Sequence, residues 1–161
     1  MRSSWWTIAA LAACSGPGGS EIPAHDPCAQ LAIIAVAPTD AQRDGVVGAL
    51  ALWRDRGVAA FDAVAEPAPA ALGASLAIQF DDAAAAFHGI YDPAASRVLI
   101  NRDIADAATL AIVIAHELGH AFGLVHIAAA ERTSVMNPDN LITPPTTADQ
   151  AALEALWGRC R

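Results

Sequence analysis

Apolar and polar positions divide the chain into segments of two periods. Leu31 to Ala37, LAIIAVA, is an unbroken apolar run of strand length, as expected of a central strand covered on both faces. Thr39 and Gln42 have the spacing of a capping box, and Val46, Val47, Leu50 and Trp53 then recur at helical period as far as Gly57. Strand-like segments follow at Val58 to Val64, Ser75 to Phe80, Phe87 to Tyr91 and Ser96 to Asn101, with Pro67 and Pro69 breaking the chain between the first two. A second helix opens near Asp103 or Asp106 and runs through ATLAIVIAHELGHAF. Its first half is apolar on every side, which places it inside the molecule. After a loop rich in Pro and Asn, Thr147 and Gln150 offer another capping box. Leu153, Leu156 and Trp157 give that last helix one apolar face before Gly158. A helix between the first two strands supplies a parallel crossover, and the turn DPAA after Tyr91 supplies a hairpin. The order predicts an α+β domain with a mixed, mostly parallel sheet of about five strands, an antiparallel edge strand, two long helices and a C-terminal helix.

The 161 residues are one domain's worth, and much of the 55% hydrophobic content is alanine, so no bundle of membrane spans follows. The net charge is −8 and every basic residue is Arg, with no cluster of them, which argues against a nucleic-acid partner. The opening MRSSWWTIAALAAC has an early Arg2 and an apolar run from Trp5 to Ala13, short of a membrane span and right for an export signal. Leu11-Ala12-Ala13-Cys14 resembles the bacterial lipobox. That resemblance implies a signal peptide at 1–13, a lipid on Cys14, a flexible tether at 14–27 and a folded domain at 28–161. It also implies the bacterial cell envelope, at the outer membrane or cell surface, with Ser15 after the cysteine favouring the outer membrane. An ordinary cleaved signal would give a secreted protein instead. His25, in the Gly- and Pro-rich tether, reads as solvated. Cys28 and Cys160 remain as an even pair in a compartment where disulfides persist, and their bridge would close almost the whole domain. The alternative for Cys28 is a latency ligand on a metal.

The stretch His116 to His126, HELGHAFGLVH, holds three of the five histidines. On a helix His116 and His120 leave the same face and can share one ion, with Glu117 beside them. Gly123 lets the chain turn out of the helix, so that His126 returns as a third nitrogen ligand. Three protein ligands leave a tetrahedral position open, as a catalytic zinc site requires. Buried histidines are more often hydrogen-bonded core residues. Burying two of them with a glutamate in the most apolar helix, however, needs a cation or a dedicated polar network, and no nearby run supplies one.

HELGHAFGLVH resembles the HExxHxxGxxH signature of the metzincin clan of zinc endopeptidases. SVMNP places Met136 ten residues past His126, where that clan has a methionine turn beneath the metal. With Trp157-Gly158 ending the last helix, the matrixin branch is the nearest in pattern. The chain departs from it at Ile127, where matrixins usually show serine, in the longer spacing to Met136, and in lacking the loop that binds structural zinc and calcium. The resemblance implies one catalytic Zn²⁺ on His116, His120 and His126, with Glu117 as general base for peptide-bond hydrolysis. Tyr91 is the only tyrosine and lies far from Met136 in sequence, so the metal itself is the principal electrophile. The resemblance further implies a peptide substrate pairing with the edge strand Phe87, His88, Gly89, Ile90 and Tyr91, and a specificity loop at Asp139 to Thr146. His88 is otherwise an exposed edge residue. Asp81 and Asp82 suggest Ca²⁺ only weakly, adjacent carboxylates being usually a solvated turn. A monomer is expected. The rival expectation is a catalytically silent zinc-binding surface lipoprotein, which would have no need of Glu117.

Overall fold

The computed structural model describes residues 24–58, 61–65 and 74–160. The export signal, Cys14, most of the tether and the Pro67 to Pro69 break lie outside the described residues. The elements are β1 Leu31–Ala35, α1 Asp40–Arg54, β2 Phe61–Ala65, β3 Ala74–Asp81, β4 Gly89–Asp92, β5 Arg97–Asn101, α2 Ala107–Ala121 and α3 Thr147–Trp157. They form the expected α+β architecture. One sheet has the order β2-β1-β3-β5-β4, parallel throughout except for β4, which runs antiparallel to β5 at the edge. Among the described residues no helix is long and apolar enough to cross a membrane.

Helix α1 begins where Thr39 and Gln42 close their capping box, the Gln42 N–H donating to Thr39 Oγ1 at 3.3 Å and the Thr39 N–H to Gln42 Oε1 at 2.9 Å. It buries Gly45, Val46, Ala49, Leu50 and Trp53 against α2, while Val47, expected on the apolar face, is half exposed. Small residues set the distance between the helices: a Cβ added at Gly45 would come within 2.7 Å of Leu110 Cβ. The Trp53 indole N–H donates to Ala115 O at 2.9 Å, and its ring meets Phe122 edge-on at 5.8 Å. This anchors the middle of α2.

Several boundaries differ from expectation for local reasons. The first strand stops at Ala35, because Ala37 takes a positive φ of 44° in the turn to α1. Val58 lies past the end of α1 and donates its N–H back to Trp53 O at 3.1 Å, and the next described strand is Phe61–Ala65. Phe87 and His88 precede the edge strand, although His88 O still accepts the Asn101 N–H at 2.9 Å. Of the two candidate starts for α2, Asp106 is its cap, its carboxylate accepting the Thr109 N–H at 2.7 Å. The cap of α3 is Thr146 with Asp149, one residue before the expected pair Thr147 and Gln150. On this helix Leu153 is buried and Leu156 largely exposed, while Trp157 is 37% exposed, its indole N–H donating to Phe122 O at 2.8 Å.

The end of the tether is part of the fold. The His25 N–H donates to Ala121 O at 2.7 Å, and its ring nitrogen Nε2 lies 3.1 Å from Ser96 Oγ and its ring 6.5 Å from that of Tyr91. His25 is therefore not solvated, and burial lowers its pKa. Cys28 and Cys160 form a disulfide with Cα atoms 5.0 Å apart, tying residues 132 positions distant.

Candidate metal centre

Helix α2 is buried on nearly every side, and its last two turns carry His116, Glu117 and His120. Gly123, at φ +91°, ends the helix: its N–H donates to His120 O and the Leu124 N–H to Gly119 O, both at 2.9 Å. The reversed chain brings His126 back over the helix end. One nitrogen from each of His116, His120 and His126 lies within 4.8 Å of the others. His126 Nε2 is 3.0 Å from His116 Nε2 and 3.2 Å from His120 Nε2. Two ligands at zinc–nitrogen distance in a tetrahedron stand about 3.3 Å apart, so the spacing fits one ion.

The donor chemistry fits as well. His116 Nδ1–H donates to Val135 O at 2.7 Å and His120 Nδ1–H to Leu124 O at 2.9 Å. With those protons placed, both Nε2 atoms present lone pairs toward the same point. Burial pushes His120 down to about 4 and lowers His116, so both imidazoles stay neutral and able to ligate at pH 7. His126 is exposed and opens the centre on one side.

Glu117 is buried, and desolvation raises its carboxyl to about 7 against the opposing pull of the Tyr91 N–H. Its side chain lies over Gly89, where an added Cβ would stand 3.0 Å from Glu117 Cγ and 3.1 Å from Oε1. The edge strand thus accommodates the carboxylate because it has glycine there. Since the Asn101 N–H reaches His88 O, Gly89 and Tyr91 turn their peptide groups away from β5, toward the outer side of the sheet. Glu117 takes one of those outward donors.

Met136 lies beneath the helix, its Sδ against Gly119, where any Cβ would overlap it. The longer spacing from His126 is absorbed by a turn at Ala128 to Glu131, after which the Ile127 N–H donates to Met136 O at 3.1 Å. This fold is one already known. Solved structures match it, among them that of myroilysin, with a TM-score of 0.60 over 89% of each chain at 13% identity. No protein-family model matches the chain, and no curated protein matches it in sequence.

Other expected residues stand apart from the centre. Asp81 and Asp82 are exposed and face Arg102 at 3.7 and 3.1 Å, an ion pair at the end of β3. The Cys28 sulfur is committed to Cys160 and so is not a metal ligand. Half-buried Phe87 and His88 sit just before the edge strand. Sequence reasoning placed Gly89 on the edge strand without its contact to Glu117, and missed Gly119, Ser134, Asn137 and Asp149. The buried Asn137 accepts the Ser134 N–H and donates to Ile127 O and Arg132 O, holding the methionine turn closed. The polar residues flanking Met136 in SVMNP were the available signal.

Proposed function

We propose that the chain is a zinc-dependent endopeptidase. The observation that carries this reading is the convergence of three imidazole nitrogens with a buried glutamate at their side and the outermost described strand beside it. His116, His120 and His126 would hold the zinc. When bound, the ion supplies Lewis acidity toward a carbonyl oxygen and acidifies water to near neutral pH. Glu117, buried beside the three histidines, takes the proton from the attacking water and passes it to the leaving amine. The outward peptide group of Gly89 receives the extended substrate by strand addition, while the Tyr91 N–H stays with Glu117, and the loop Asp139 to Thr146, with Ile142 exposed, selects its side chains.

A silent zinc-binding module would keep the histidines and have no use for the base. Turnover of casein and quenched peptides by the metallated, disulfide-bonded chain from Glu21 onward separates the two. Glu117→Ala is expected to lower it by about 10²- to 10⁴-fold with zinc still bound, and a chelator to abolish it. Absence of chelator-sensitive turnover in the parent would sink the enzyme reading. The lipobox-like LAAC supports a protein anchored at the cell envelope through Cys14. Fatty-acid labelling in a bacterial host should mark the parent and spare Cys14→Ala; equal labelling of both removes the anchor.

A further inference from the structure

Asp149 is fully buried, and its partners lie on more than one segment. Its Oδ2 accepts the Thr146 N–H and hydroxyl, both at 2.8 Å, and the Val135 N–H at 3.1 Å. Its Oδ1 accepts the hydroxyl proton of Ser134 and faces the Arg132 guanidinium at 3.5 Å. Capping α3 requires only the bonds to Thr146, and an exposed carboxylate could make them without desolvation. The remaining bonds reach into the methionine turn.

From there the bonds run head to tail. Ser134 Oγ accepts the Met136 N–H at 2.9 Å. The carbonyl of the same peptide group, Val135 C=O, accepts His116 Nδ1–H at 2.7 Å and the Asn140 side-chain N–H at 3.1 Å. The Val135–Met136 peptide is thus held at both ends, with a carboxylate behind one end and a proposed metal ligand at the other. A negative charge at the head of such a series polarises each following bond in the same sense. A carboxylate bonded directly to a ligating histidine fixes its tautomer and raises its basicity. Here the same influence would pass through one hydroxyl and one peptide group.

We infer that Ser134 and Asp149 are positioning residues for the metal centre, setting the ring direction and donor strength of His116 through the Val135–Met136 peptide. This rests on reading the three histidines as a zinc site. Ser134→Ala removes one hydroxyl and leaves the Thr146–Asp149 cap in place; Asp149→Asn removes the charge. Zinc affinity by chelator competition and the visible spectrum of the cobalt(II)-loaded protein report on the ligand, and melting of the metal-free chain reports on the fold. Ser134→Ala should bind zinc about tenfold more weakly, with shifted cobalt bands, and Asp149→Asn at least as weakly. If the folded variants melt lower when metal-free but keep the parent's zinc affinity and cobalt bands, Asp149 is only a cap and the inference is overturned. Should Asp149→Asn not fold, Ser134→Ala decides alone. A parent that binds no zinc would overturn the metal site itself, a different and distinguishable failure.

Discussion

Helices α1 and α2 are each 15 residues long and pack against one another, yet their polar groups meet different fates. On α1, Asp40, Arg43 and Asp44 face water, and one side alone enters the core. On α2 both sides are covered, so the polar groups of its last two turns find partners on other segments: His116 on Val135 O, His120 on Leu124 O, and Glu117 on the Tyr91 N–H. A solvated helix can carry a carboxylate anywhere on its outer face. A buried one can carry it only where distant parts of the chain have been shaped to receive it.

Substitution of the two helices should expose this difference. The largest effect on folding is expected at Ile114, fully buried on α2, where alanine should cost about 2–5 kcal/mol in urea unfolding. The half-exposed Val47 of α1 should change by less than about 0.5 kcal/mol on the same substitution; equal losses at both positions would refute the contrast. Gly119→Ala comes next. Better helix propensity favours it by about 1 kcal/mol, but the overlap with Met136 should cost about 1–3 kcal/mol. The net loss is modest and should be accompanied by weaker zinc binding in a chelator competition. A variant more stable than the parent with unchanged zinc affinity would show that Met136 moves aside freely.

Much of the fold could be read from periodicity, because α1 and the parallel strands owe their positions to local pattern. The cap at Thr39 and Gln42, the apolar run of β1 and the crossover between β1 and β2 are all local or nearest-neighbour facts. The grouping of His116, Glu117, His120 and His126 was also legible, since helical spacing and one glycine bring them together within eleven residues. What escaped is what depends on segments far apart in sequence. Asp149 carries no motif of its own, and its role appears only in its buried bonds to Ser134 and Val135 and in the cap with Thr146 that starts α3 one residue earlier than expected. Gly89 has no motif around it, and its meaning comes only from the carboxylate lying across it. His25 sits among tether-like residues, and its contacts with Ala121 O, Ser96 Oγ and the Tyr91 ring reveal it as docked.

The bridge between Cys28 and Cys160 fastens one end of the described fold to the other. Topologically the domain is a ring. A single cut in any loop between those cysteines would leave both fragments in one molecule. The last helix and the carboxylate it inserts behind His116 would stay leashed to the sheet, so a nicked molecule could close again where an open chain would fall into two.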